Sequence, residues 1–246
     1  MPGKFVIKGV ASRVVLDFDL ETAEKSYRHT WLDVLYWFAF QAPFPYASCR
    51  FALEAARELR TIAGLLTEYW FEWNAVAPVV EIVERNGGYS LISRLVRGQP
   101  PSDTKRAHDW LRDVADHFVE AGLPTWQIAY YNPRALSNVI ETTDGRLIIV
   151  DLESTLVTPI VPLLALPSAI RSGRYAAFDD VDMRRLRWYV NRHREGLISA
   201  LGKAPLAELE ASIVRYEQAA NQWRGAEPRL LGKLLAWVVD AIGWNP

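Results

Sequence analysis

Apolar and polar side chains alternate along the first part of the chain, most clearly in VVLDFDL at 14–20, where β-branched residues are frequent. A period of two is typical of a half-buried strand, so the first 30 residues are predicted to form two or three strands. In 48–73 the apolar residues recur instead at helical spacing, as at Leu59, Ile62 and Leu65. This second stretch is therefore predicted to be an amphipathic helix.

Two tight-turn signals each lie between short apolar runs. Asn86-Gly87-Gly88 predicts a hairpin within 77–101, and Asp144-Gly145 predicts a second hairpin that ends before Ser154. Between the hairpins, a helix is predicted with Ser102 or Asp103 as its N-cap and Gly122 as its stop.

The remaining pattern is mostly helical. Helices are predicted at 179–201, 206–224 and 230–242, and residues 31–40 are predicted to be either a helix or a buried connection. The order of elements indicates an α+β protein with a β-rich N-terminal lobe over 1–98 and a helical C-terminal lobe over 99–246.

Composition narrows the classes of protein that fit this pattern. The chain has 246 residues, half of them apolar, and a net charge of -1, so it is predicted to be globular without a basic field for nucleic acid. A single cysteine, Cys49, excludes an intramolecular disulfide and favours a reducing compartment. We find no signal peptide and no run of about 18 apolar residues, so a cytoplasmic location is expected.

Polar residues at both ends of the second hairpin are the strongest chemical signal. Asn138 precedes the hairpin, and Asp151 follows the apolar run RLIIV, where a solvated carboxylate is less expected. With the order of elements before it, this stretch resembles the protein-kinase-like fold in compact forms such as small-molecule kinases and atypical bacterial kinases. The resemblance covers Phe5 to Ser154, and every motif in it is degenerate. An unrelated helical protein with a small sheet stays open as an alternative.

The resemblance implies a phosphate-binding loop and a hinge. In IKGVASRVV, Gly9 and Ser12 occupy places of the glycine-rich loop, where backbone N–H groups would approach phosphate oxygens. Arg94 and Val96 would supply hinge backbone groups to the adenine edge, with Ser93 guarding the back pocket. An ordinary strand turn and an ordinary hairpin explain the same two patterns.

The resemblance also implies a lysine–glutamate pair. Lys25 matches the lysine that contacts the α- and β-phosphates, and Glu58 matches the helical glutamate that pairs with it, with Glu54 as the alternative. A solvated lysine and a surface glutamate are the simpler explanations of these residues.

A metal site follows from the same resemblance. Asn138 and Asp151 would hold Mg²⁺ bridging the phosphates of ATP, and Leu152-Glu153 stands where the family has Phe-Gly. An aspartate that merely ends a strand is the alternative.

The departure from the family lies in the catalytic loop. The catalytic aspartate position, five residues before Asn138, is Pro133, which has no side-chain proton acceptor. With one extra loop residue, Asn132 would take that place, and an amide is a poor base. The resemblance therefore implies a protein that binds ATP and Mg²⁺ between its lobes, with weak or absent phosphoryl transfer. A pseudokinase scaffold that needs no nucleotide is the alternative.

The phosphoryl acceptor is left open as a small molecule, a lipid sugar or a protein. An arginine-rich stretch predicts most simply a solvated helix face, and it leaves open a peripheral membrane or protein partner. Its arginines are Arg184, Arg185, Arg187, Arg192 and Arg194.

Overall fold

A computed structural model describes residues 3–9, 12–28, 45–85, 88–129, 132, 134–156 and 178–223. Its main sheet has five antiparallel strands in the order β1-β2-β3-β5-β4. The strands are β1 (Lys4–Lys8), β2 (Ser12–Asp17), β3 (Thr22–Tyr27), β4 (Val79–Arg85) and β5 (Gly88–Arg94). The predicted N-terminal strands and the first predicted hairpin are therefore confirmed.

Two helices lie between β3 and β4: the short α1 (Pro45–Ser48) and the long α2 (Arg50–Phe71). Leucine, alanine, arginine and glutamate dominate α2 and are strong helix formers. The helix ends at Glu72, whose left-handed backbone (φ 66°) lets its N–H donate to Glu68 O. The position of α2 matches the amphipathic helix predicted over 48–73.

The helical region begins with α3 (Thr104–Ala121), which has the ends that the sequence predicts. The Asp103 side chain accepts a hydrogen bond from Arg106 N, and Gly122 adopts a φ of 79° that closes the last turn. A 3-10 turn (Ala135–Asn138) then leads into a second hairpin. Its strands are β6 (Val139–Glu141) and β7 (Leu147–Ile149).

A close backbone approach fixes the connector between the sheet and this hairpin. Gln99 and Glu141 exchange backbone hydrogen bonds of 3.0 and 2.8 Å. A Cβ on Gly98 would lie 2.2 Å from Glu141 O, so only glycine fits there. The connector predicted around 97–102 is therefore tied directly to the second hairpin.

The last elements are a short strand pair and three helices, and the helices form a layer against α2. The strand pair is β8 (Thr155–Leu156) and β9 (Phe178–Asp179), and the helices are α4 (Met183–Arg192), α5 (Arg194–Leu201) and α6 (Lys203–Trp223). Helix α6 packs along α2, and the main core is shared by α2, α3, the second hairpin and α4 to α6. The predicted α+β class is therefore confirmed.

One helix prediction is wrong in its extent. A single helix is predicted over 179–201, but residue 179 lies in β9. Helix α4 begins after Asp182, whose side chain accepts a hydrogen bond from Arg185 N, and the helix is interrupted at His193 before α5 begins. The helix predicted at 206–224 begins earlier, at Lys203. The predictions for 31–40 and 230–242 lie outside the described residues, and the lobe boundary at residue 98 stays a prediction.

None of the helices within the described ranges is both long and apolar enough to cross a membrane.

Candidate functional site

Lys25 and Asp151 meet at the centre of the candidate site, although they are 126 residues apart in sequence. The Lys25 ammonium donates to both carboxylate oxygens of Asp151, at 2.7 and 2.9 Å. It also contacts both oxygens of Glu153, each at 3.2 Å. The structure thus brings the predicted lysine and aspartate together and adds a second carboxylate.

Backbone pairing positions both Lys25 and Asp151. Lys25 lies in β3 opposite Val14 on β2 and Leu91 on β5, which is fully buried. Asp151 directly follows Val150, whose N–H donates to Asn138 O at 2.8 Å across the second hairpin. Strand β7 is also held to the segment after α2, because Ile149 N donates to Ala75 O at 2.7 Å. Asp151 therefore follows a strand that is hydrogen-bonded both to its hairpin partner and to the segment after α2.

Arg60 is a site residue that the sequence analysis missed. From α2 its Nε donates to Leu152 O at 3.1 Å, its Nη1 to Ser93 Oγ at 3.2 Å, and its Nη2 to Asp151 Oδ1 at 3.4 Å. One guanidinium thereby joins α2, β5 and the Asp-Leu-Glu segment, residues 151–153. The available signal was its place on the buried side of α2, in register with Leu53 and Ala56.

Tyr27 and Glu153 form the inner wall of the site and were also missed as site residues. The Tyr27 hydroxyl donates to Glu153 Oε2 at 2.5 Å, and its ring centroid lies 5.0 Å from Lys25 Nζ. The Glu153 N–H donates to the side chain of Gln127 at 2.5 Å. Tyr27 lies two residues after Lys25 on β3, so the alternation of a strand places both on one face.

Charge and burial set the protonation of these groups. Burial opposes the charge of Lys25, but Asp151 and Glu153 outweigh it and raise the pKa of its ammonium. Burial likewise opposes ionisation of Asp151, yet the Lys25 and Arg60 charges lower the pKa of that carboxyl. For Glu153 burial prevails and raises the pKa, and for Tyr27 burial and the nearby carboxylates raise the pKa well above its usual value. The site thus holds two cationic side chains, Lys25 and Arg60, and two carboxyl side chains, Asp151 and Glu153.

Exposure singles out Asp151 within this group. Its side chain is 29% exposed, against 12% for Lys25, 11% for Glu153 and 2% for Arg60. A ligand that enters from solvent therefore reaches Asp151 first.

An apolar sheet face lies beside the charges. The strand register puts Ile7, Val14 and Lys25 in one row, with Phe5 and Ala23 in the next row on the same face. Ile7 is 47% exposed and Phe5 is 57% exposed, so this face is open at its outer end. The site therefore combines an open apolar platform with buried charges at its inner end.

The predicted pairing of Glu58 with Lys25 is corrected. Glu58 is buried on the other side of α2, where it pairs with Arg57 at 2.8 Å and with Arg215 of α6 at 2.9 Å. Residues two apart on a helix point about 200° apart, so Arg60 and Glu58 cannot both face the cleft. The alternative, Glu54, pairs with Arg50 at 2.8 Å on the helix surface.

The phosphate-binding role of Gly9 and Ser12 stays a prediction, and the Gly9 N–H is engaged within the β1–β2 turn. The Gly9 N–H donates to Ser12 O at 2.8 Å and closes the β1–β2 turn, so it is not free for a phosphate oxygen. The Gly9 carbonyl accepts from Arg28 at 2.9 Å. Val10 and Ala11, at the tip of the turn, lie outside the described residues.

The two predicted hinge residues differ. Arg94 N donates to Pro78 O at 3.2 Å, so this N–H is engaged within the chain, and the hinge role of Arg94 stays a prediction. Val96 is half-buried, and its backbone makes no hydrogen bond with the part of the chain that the structure describes. Ser93 is buried and accepts from Arg60, deep in the site.

Asn138 and Asn132 occupy different environments. The Asn138 amide donates to Gln127 O at 2.9 Å, and its backbone lies opposite Val150, next to Asp151. Asn132 is tied to its own loop, because its amide donates to Trp126 O at 3.0 Å and accepts from Arg134 N at 2.9 Å. The Asn132 amide is therefore engaged within its loop, and the predicted catalytic role of Asn132 stays a prediction. Pro133 and Tyr131 lie outside the described residues.

Two of the five arginines in the arginine-rich stretch pair with carboxylates of this molecule. Arg187 pairs with Glu217 at 2.6 Å, Arg194 pairs with Glu210, and Arg185 donates to Glu120 O at 3.1 Å. Arg192 stacks over the exposed Trp188 ring, 5.0 Å from its centroid. Arg184 lies exposed at the start of the same helix. This arrangement matches the simpler prediction of a solvated helix face.

No protein-family model matches the chain, and no curated protein matches it. Among solved structures, the chain is similar to one described as "PpkA-294 apo form", at 15% identity and a TM-score of 0.28, over 87% of this chain and 94% of that chain. A TM-score this low supports no argument about fold or function. The kinase resemblance therefore depends on the residues of this chain alone.

Proposed function

We propose that the chain is a two-lobed, kinase-like protein that binds ATP with Mg²⁺ between its sheet and the Asp151 segment. The observation that carries the proposal is the double contact of Lys25 with Asp151, at 2.7 and 2.9 Å. Phosphate recognition needs a fixed cation, and metal recognition needs a fixed carboxylate beside it. Both are present, and both reach the same point from distant parts of the chain.

The apolar platform suits a purine base. Ile7, Val14 and Ala23 lie on the sheet face that carries Lys25, and the outer part of that face is open. A planar base gains by covering apolar surface, at about 25 cal/mol for each Å² removed from water. The Val96 backbone, beyond the end of β5, supplies hydrogen-bonding groups of the kind that read a base edge.

The phosphates would be held by Lys25. Arg60 lies behind Asp151 and is almost fully buried, so it supports the charge balance of the site rather than reaching solvent. A phosphate that draws Lys25 forward would leave Asp151 with Arg60 and a metal ion as its cationic partners. The site therefore suits a ligand that brings negative phosphate and a divalent cation together.

The donor set fits Mg²⁺. Asp151 offers a partly exposed carboxylate, and Asn138 uses its amide nitrogen on Gln127, which leaves the amide oxygen as its remaining polar atom. No cluster of three His, Cys, Asp or Glu side chains that could hold a metal occurs in the described parts of the chain. Mg²⁺ commonly takes one or two protein ligands and completes its shell with phosphate and water. When bound, the ion would neutralise charge on the phosphates.

Phosphoryl transfer is expected to be weak or absent. Pro133 stands where the resemblance requires the aspartate that orients an acceptor hydroxyl. The Asn132 amide is occupied by its own loop. General-base assistance contributes about 10²–10⁴-fold in enzymes, so a loss of this size is expected in turnover, while nucleotide contacts elsewhere are retained.

A scaffold that needs no nucleotide is the second candidate. The observation that favours it is that Lys25 already occupies both Asp151 oxygens, so the charges of the site satisfy one another. In that case the acceptor, whether small molecule, lipid sugar or protein, has no role, and partner binding alone is the function.

Thermal unfolding with ATP separates the two candidates. ATP with Mg²⁺ is expected to stabilise the wild type by about 2.7 kcal/mol at one hundred times the dissociation constant. Lys25→Met should abolish this stabilisation, whereas Lys105→Met, at an exposed position of α3, should retain it. A wild type whose unfolding is insensitive to ATP would favour the scaffold.

A further inference from the structure

We propose that Glu153, rather than a glutamate of α2, is the carboxylate that positions Lys25 for the nucleotide. The inference rests on the proposed function, which it deepens by assigning a positioning residue. Glu153 lies two residues after Asp151 and contacts Lys25 Nζ through both of its oxygens, each at 3.2 Å. The lysine is thereby oriented by the same segment that presents the aspartate.

Glu153 has partners in the inner wall of the site that Asp151 lacks. Tyr27 donates to Glu153 Oε2 at 2.5 Å, and Gln127 accepts from its backbone N–H at 2.5 Å. Its side chain is 11% exposed, whereas that of Asp151 is 29% exposed. A carboxylate that is bonded to Tyr27, has its backbone fixed by Gln127 and is withdrawn from solvent is suited to orientation, and the more exposed carboxylate is suited to a ligand.

This difference divides the two carboxylates between two tasks. When a ligand engages Asp151, Lys25 loses one anionic partner but keeps Glu153. The Tyr27 ring, 5.0 Å from Lys25 Nζ, restricts the ammonium on another side. Lys25 therefore stays oriented toward the phosphates while Asp151 is occupied.

Helix α2 offers no competing carboxylate at this point. Glu58 faces α6 and is enclosed by Arg57 and Arg215, and the cleft side of the helix carries Ala56 and Arg60 instead. To reach Lys25, Glu58 would have to turn by about half a revolution, which would pull the core residues of α2 out of contact with α6. The orientation of Lys25 therefore does not require a glutamate of α2, although Arg60 of α2 supports Asp151.

The test compares Glu153→Gln, Glu153→Asp and Glu58→Gln by calorimetry with ATP and Mg²⁺. Loss of a hydrogen bond to a charged group predicts at least a tenfold weaker affinity in Glu153→Gln. Glu58→Gln should keep the wild-type affinity. Glu153→Asp keeps the negative charge, so it should recover part of the affinity lost in Glu153→Gln. A purely structural role would give the opposite order, because glutamine keeps the shape of glutamate and aspartate does not.

A second measurement decides the inference even if the wild type does not bind ATP. The ammonium resonance of Lys25 in protein labelled with ¹⁵N-lysine should shift in Glu153→Gln and stay in place in Glu58→Gln, without nucleotide. An unchanged resonance in Glu153→Gln, or an equal shift in Glu58→Gln, would overturn the assignment of Glu153. Absence of ATP binding by wild type together with the expected shifts would refute the nucleotide site but retain Glu153 as the partner that positions Lys25.

Discussion

Two clusters of four ionisable side chains lie on opposite sides of α2. The cleft cluster contains Lys25, Arg60, Asp151 and Glu153, and the helix cluster contains Arg57, Glu58, Glu208 and Arg215. Each has two cations and two carboxylates. Only the cleft cluster joins the sheet to the Asp-Leu-Glu segment, whereas the helix cluster joins α2 to α6.

The two clusters differ in which of their members are exposed to solvent. In the helix cluster both cations are partly exposed, at 37% for Arg57 and 42% for Arg215, Glu208 is 52% exposed, and only Glu58 is buried. In the cleft cluster the cations are buried and Asp151 is the exposed member. Buried cations beside an open apolar face are suited to an anionic ligand, whereas exposed arginines around one buried carboxylate form a clamp between helices. Charge composition alone does not identify a site.

The largest expected effect is that of Lys25→Met. Removal of one partner from a buried ion cluster typically costs about 3–5 kcal/mol, because the remaining charges are left uncompensated. The matched change in the helix cluster, Arg57→Met, should cost less than about 1 kcal/mol, since Arg57 is partly solvated. Urea unfolding of both variants measures the contrast, and equal losses would show that the two clusters are energetically alike.

An intermediate effect is expected from Glu58→Ala. The change removes a buried carboxylate that accepts from Arg57 and Arg215, so the free energy of unfolding should fall by about 1–3 kcal/mol. Lys25 and Asp151 do not contact Glu58, so ATP binding should not change. Denaturant unfolding and a binding titration on the same sample separate the two properties. A parallel loss of affinity would break the distinction between the clusters.

The smallest effect concerns Glu141, a carboxylate outside both clusters that calibrates the comparison. Hydrogen bonds from Ser102 N and Oγ, with the Arg106 charge, lower the pKa of Glu141 below its usual value of 4.5. The stabilisation is therefore complete above pH 4.5 and is lost as the pH falls through the lower pKa of the folded state. The thermal midpoint of wild type should exceed that of Glu141→Gln near pH 6 and approach it in acid. A difference that grows on acidification would contradict this sign.

Much of the local structure could be predicted from the sequence. Turns and helix ends depend on residues close in sequence, so a short stretch of sequence is enough to predict them. This holds for the turn residues of both hairpins, the Asp103 cap and the Gly122 stop. The convergence of Lys25 and Asp151 was predicted only through the order of several degenerate motifs. The break at His193 was missed because the residues around it are individually compatible with a continuous helix.

The orientation of α2 could not be predicted in the same way. Glu58 and Arg60 flank Leu59, and spacing alone does not decide which of them faces the sheet. That choice depends on α6, about 150 residues later, whose packing and Arg215 hold Glu58 on the far side. Glu153 was missed as a partner of Lys25 for a related reason, since the resemblance places a glycine at its position. Long-range packing therefore decided the residues that the motifs misassigned.

The central claim is that ATP and Mg²⁺ bind at the cleft cluster through Asp151. Isothermal titration calorimetry with ATP, with and without Mg²⁺, tests it most directly on wild type and on Asp151→Asn, which keeps the shape of the side chain but removes its charge. We expect Mg²⁺-dependent heats in wild type and none in Asp151→Asn, with Glu58→Gln indistinguishable from wild type. Equal heats in wild type and Asp151→Asn, or no binding by folded wild type, would contradict the claim.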